Sequence, residues 1–85
     1  MWFKIVGSAS GDSDTLELAF CDPVPARLAT PLKASLEACG FSVKERRPDG
    51  KIVIWECVLP VGEILDSNKV DQTTRAVAEV CGIPL

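Results

Sequence analysis

An 85-residue chain with 47% apolar and 25% charged residues has the make-up of one small globular domain, which excludes disorder and a membrane-embedded class. The net charge of -3 argues against a surface built for phosphate contact, and the complete absence of His removes the usual neutral-pH general base, His-metal ligation and the His-dependent nucleophile arrangements. No apolar run approaches the roughly 18 residues that cross a bilayer, and Met1-Trp-Phe-Lys-Ile-Val6 does not have the form of a cleavable leader, so the expected compartment is the cytoplasm.

The opening run alternates Trp2, Lys4 and Val6 against Phe3 and Ile5, apolar on both faces apart from Lys4, which suits a strand inside a sheet. Gly7-Ser-Ala-Ser-Gly-Asp-Ser-Asp14 breaks the pattern and reads as a hairpin loop. A phosphate cradle would need a helix N-terminus directly after it, whereas Thr15-Leu-Glu-Leu-Ala-Phe20 is a strand with Leu16, Leu18 and Phe20 on one face. Asp22-Pro-Val-Pro25 ends that strand, because the prolines remove ladder donors. The helix after it has two candidate starts, near Ala26 or at Thr30 as a cap before Pro31. Its stripe Leu32, Leu36, Cys39 recurs at i, i+4, i+7, and Gly40 is placed to end it.

Residues 41–59 form the clearest structural signal. Two strand-like runs flank Arg47-Pro48-Asp49-Gly50, where Pro presets φ and Gly accepts a positive φ, so a hairpin is predicted. Phe41 and Val43 face one way, and Ser42, Lys44 and Arg46 the other. The second run is apolar on both faces, Ile52, Ile54 and Val58 against Val53, Trp55, Cys57 and Leu59, which predicts neighbours on both sides; Glu56 is the exception and reads as a charge near a sheet end or rim. After residues 60–65, where Ile64 and Leu65 either plug the core or lie exposed, a second helix starts near Asp66, Ser67 or Asn68 and ends at Gly82. Ile83 to Leu85 trail off, with a short strand as one option.

Leu36-Glu-Ala-Cys-Gly-Phe41 and Ala78-Glu-Val-Cys-Gly-Ile83 share a Glu-x-Cys-Gly-apolar ending, so the chain carries an internal repeat in which each helix follows two strands. The predicted fold is α+β: a two-layer sandwich in ββαββα order, with a mostly antiparallel four-stranded sheet and two helices on one face, a ferredoxin-like or split-βαβ relative spanning residues 1–85 as a single domain. Cys21, Cys39, Cys57 and Cys81 have no C-x-x-C pair among them and are read as buried thiols, so neither a metal nor any other cofactor is expected.

Leu36-Glu-Ala-Cys-Gly-Phe-Ser-Val43, then Asp49-Gly-Lys-Ile-Val-Ile54 and the helix ending at Ala78-Glu79, resembles the regulators that inhibit ribonuclease E, over roughly residues 16–82. Gly82-Ile-Pro-Leu85 stands where that family carries a Tyr-Asp-Gly-Trp ending. The resemblance implies a protein without catalysis of its own that docks on an enzyme.

The residues independently favour binding over chemistry, since no acid/base pair or activated nucleophile can be assembled. The expected function is a small non-enzymatic protein-interaction module, a regulator or inhibitor whose partner is another protein or a second copy. Helices on one face only would leave the other for that partner, with Trp2, Val53 and Trp55 as anchors; the competing account puts these residues in a small core. One alternative is nucleic-acid binding by Lys44, Arg46, Arg47 and Lys51 at the hairpin tip, which reads equally as solvated edge protection. Another is a small-ligand pocket or enzyme using Glu56 with the thiol of Cys39 or Cys81.

Overall fold

The computed structural model describes residues 2–10, 12–46 and 53–84. Strands β1 (Phe3–Ser10) and β2 (Ser13–Phe20) precede helix α1 (Ala26–Ala38); strands β3 (Ser42–Arg46) and β4 (Ile54–Val58) precede helix α2 (Ser67–Cys81). They form one sheet in the order β1-β2-β4-β3, every neighbouring pair antiparallel. β2 and β3 therefore run parallel with β4 inserted between them, so β2-α1-β3 is a split βαβ unit. The α+β sandwich expected from the sequence is the architecture found.

Strand parity sets the two faces of the sheet. The even residues Leu16, Leu18 and Phe20 of β2 share a face with the odd residues Trp55 and Cys57 of β4, and Leu32, Leu36 and Val77 of the helices close over them. Phe20 meets the edge of Trp55 at 5.4 Å between ring centroids and Phe3 at 5.8 Å, so an aromatic row crosses three strands beneath the helices.

Both helix ends follow from local chemistry. Asp66 caps α2, its Oδ1 accepting from the Lys69 N–H at 2.8 Å. At the C-termini Gly40 and Gly82 adopt φ of 99° and 70°, and the amides of Phe41 and Ile83 reach back five residues to the carbonyls of Leu36 and Ala78. The shared Glu-x-Cys-Gly-apolar ending is thus one capping arrangement used twice. Lys69 also ties the helices together, its Nζ donating at 2.8 Å to the Cys39 carbonyl at the C-terminal, electronegative end of α1.

The structure settles four local points, two of which the sequence leaves open. First, α1 begins at Ala26 with Pro25 before it, so Pro31 lies inside the helix and Thr30 caps nothing. Leu28 packs against the core on the same stripe as Leu32, and that burial holds a helical turn ahead of a residue that forfeits one backbone bond. Second, residues 7–10 and 13–14 belong to the strands: the ladder pairs Gly7 with Leu16 and Ser10 with Ser13, so cross-strand bonding overrides the weak propensity of the Gly/Ser run. Third, β1 lies at the edge of the sheet and not inside it, whereas β4 does have neighbours on both sides. Fourth, Ile83 and Pro84 form no strand. The predicted turn at residues 47–50, together with Lys51 and Ile52, falls outside the described residues.

One side chain fixes the connection from β4 to α2. The Asp14 carbonyl accepts from the Leu59 amide at 3.0 Å and its Oδ2 accepts from the Leu65 amide at 2.8 Å, which seats Leu65 over Gly7 and leaves Ile64 outside at 74% exposure. Replacing Asp14 by Ala strands a part-buried amide; a loss of about 1–2 kcal/mol is expected, a fall of several degrees in Tm for a domain of this size. Asp14→Asn, which keeps an acceptor, should lose less than half of that in the same thermal melt.

Candidate functional site

The sheet face turned away from the helices carries the odd residues of β2 and the even residues of β1, β3 and β4. Register arranges them in rows across the strands: Lys4, Ala19, Ile54, Arg46; then Val6, Glu17, Glu56, Lys44; then Ser8, Thr15, Val58, Ser42. Trp2 extends the pattern beside Cys21, whose amide bonds the Trp2 carbonyl at 3.1 Å. Trp2 and Val6 are exposed at 68% and 50%, and Ile54 and Val58 are half-buried.

The centre of this face is ionic. Glu17 and Glu56 lie directly opposite each other on adjacent strands, a repulsive placement. Arg46 spans them, its Nη2 3.3 Å from Glu17 Oε2 and its Nε on Glu56 Oε1. Each pair, being about half exposed, contributes little alone, but together they hold three long side chains flat across the middle of the sheet. Farther along, the Ser8 and Thr15 hydroxyls hydrogen-bond at 2.8 Å. The face is therefore a charged strip with apolar residues on both flanks, and Glu56 sits at mid-sheet and not at a rim as its sequence suggested.

The expected anchors divide. Trp2 stands on the open face. Trp55 and Val53, 2% and 3% exposed, face the helices and belong to the core. The reason is parity: β4 is apolar on both sides, and it is the side carrying Trp55 that lies opposite Leu16 and Leu18. For the basic cluster, Lys44 lies beside Glu56 and Arg46 is engaged by two glutamates, which reduces what either offers a phosphate; Arg47 and Lys51 fall outside the described residues.

The thiols divide too. Cys39 and Cys57 are buried and Cys81 is half-buried, but Cys21 is exposed, because it continues the outward-facing parity of β2. Burial pushes the Cys57 thiol up to about 12, with neighbouring Cys39 adding to the effect, and burial also raises Cys81. Raised values run against the activated thiolate that catalysis by Cys81 would need. A shallow groove of about 370 Å³ between α1 and β3, bordered by Thr30, Lys33, Val43 and Glu45, brings together a cation, a hydroxyl and a carboxylate with no arrangement that sequence reasoning had anticipated. Among the described residues no three His, Cys, Asp or Glu side chains group to hold a metal ion, and no helix is long and apolar enough to cross a membrane.

No family model, curated protein or solved structure matches the chain.

Two outcomes test this placement. Trp55→Ala should cost about 3–5 kcal/mol in a urea titration, a cavity in the core, whereas Trp2→Ala should stay within about 0.5 kcal/mol of the parent. Cys57 ionises in the unfolded chain from its ordinary value of 9.0 but in the folded protein only near 12, so between these the unfolded state binds fewer protons and stability falls as pH rises. The stability advantage of the parent over Cys57→Ala should accordingly shrink between pH 8 and pH 10.5.

Proposed function

We propose that this chain is a non-enzymatic, cytoplasmic interaction module that docks another protein on its open sheet face. The observation that carries the reading is the exposure of Trp2 and Val6 on a face that no helix covers, next to an ion cluster already held in place by Arg46. A large aromatic ring supplies contact area at little entropic cost, and such residues dominate binding energy at protein interfaces. The fixed carboxylates and guanidinium supply polar contacts whose ordering has been met within the fold, which lowers the cost of association. The resemblance of residues 36–43 and 49–54 to the ribonuclease E regulators supports the same kind of role, a regulator or inhibitor seated on a larger enzyme.

The test is site-specific photocrosslinking in the cells that make the protein, with a benzophenone amino acid in place of Trp2 or, as the control on the outer side of α2, Gln72. Position 2 should capture one discrete partner larger than a second copy of the chain, whether or not a second copy is captured as well, and position 72 should not capture that partner. Equal capture at both positions, or none at position 2, overturns the reading.

A further inference from the structure

The two edges of the sheet are unlike. β3 presents five residues, three of them the charged Lys44, Glu45 and Arg46, which is how natural sheets keep other strands away. β1 presents eight residues with Lys4 as its one charge, and has neither proline nor bulge.

The hydrogen-bond parity of β1 can be read directly. The Cys21 amide bonds the Trp2 carbonyl, and the Leu59 amide bonds the Asp14 carbonyl. Even residues of β2 therefore serve β4, and odd ones serve β1 through Trp2, Lys4, Val6 and Ser8. The N–H and C=O groups of Phe3, Ile5 and Gly7 consequently point off the sheet, and among the described residues no backbone hydrogen bond reaches them.

Side chains along this edge complement one another under a two-fold axis. Gly7 is kept bare because Leu65 covers it: a Cβ there would lie 2.9 Å from Leu65 Cδ2. Beside it is a hollow of about 310 Å³ bordered by Gly7, Asp14, Leu65 and Val70. Four residues before Gly7, on the same face, stands the half-buried ring of Phe3.

We propose that a second copy of this chain adds to the sheet by antiparallel β1-to-β1 pairing centred on Ile5. Ile5 then faces Ile5 of the other copy, and each Phe3 lies opposite the other copy's Gly7, its ring over the hollow beside Leu65; an aromatic side chain covering a cross-strand glycine is a recognised way to stabilise such an edge. The outward groups of Phe3, Ile5 and Gly7 pair in full, and each Lys4 lies opposite an uncharged Val6. Because the guarded β3 edge resists pairing, the assembly closes as a two-fold dimer with one eight-stranded sheet and does not extend into a fibre. Of the open face only the β1 margin with Lys4 and Val6 meets the second copy, and the ionic centre formed by Glu17, Arg46 and Glu56 stays free for another partner.

Sedimentation equilibrium over a concentration series should show the mass rising from 9.1 kDa toward twice that value. Amide exchange followed by NMR should show Ile5 and Gly7 gaining protection as concentration rises, while Lys4 and Val6, bonded to β2 already, change little. Val6→Lys, at an exposed position, sets two like-charge pairs against Lys4 across the axis and should weaken dimerisation about tenfold. Lys4→Glu combined with Val6→Lys converts both pairs to attractions and should return it to within about threefold of the parent. A parent that stays at 9.1 kDa at millimolar concentration overturns the proposal. So does a dimer whose Ile5 and Gly7 amides exchange as freely as in the monomer, the signature of pairing through the open face or a helix, and so does a double variant as weak as the single one.

Discussion

The constraint on which this structure rests is the two-residue period of β2 and β4. Once Leu16 and Leu18 turn toward the helices, their partners Cys57 and Trp55 must turn with them, and the intervening residues have no choice of side. The same geometry therefore drives Glu17 against Glu56 on the opposite surface. Arg46, two strands away from Glu17, makes that juxtaposition tolerable by reaching both carboxylates. The ionic strip on the open face is a by-product of the way the core is assembled, and its position could not be altered without turning a strand over.

What the sequence disclosed, and what it withheld, follows from the range of the forces involved. Local devices were readable: the Asp66 cap and the two glycines closing the helices involve residues within five positions, and the β3–β4 pairing joins residues 8 to 16 positions apart. Choices made by tertiary contact were not. Periodicity shows that β4 is apolar on both sides but cannot say which side the helices cover, and so Trp55 could be an interface anchor or a core residue until its register with Leu18 was known. The Gly/Ser run at residues 7–14 looks like a loop by propensity, yet ladder bonds to β2 and the need for space beneath Leu65 make most of it strand. Of the expected interaction residues Trp2 alone lies exposed, and Glu56 gained a role at mid-face only once β2 was placed beside it.

The order β1-β2-β4-β3 maps onto itself when the first ββα unit is exchanged for the second, and each unit ends in the same glycine-closed helix. The join between the units is the β2–β4 ladder at the centre of the sheet, with the Lys69 bridge to Cys39 linking their helices above it. Neither unit has a hydrophobic centre of its own; Phe20 comes from one and Trp55 from the other.

That division bears on how the protein comes off the ribosome. When β1, β2 and α1 have been synthesised, Leu16, Leu18 and Phe20 have only a helix to shelter them, and the strand that completes their enclosure is encoded some forty residues downstream at Ile54–Val58. The growing polypeptide thus remains sticky until more than half of it has been translated, and compaction must wait for its last third.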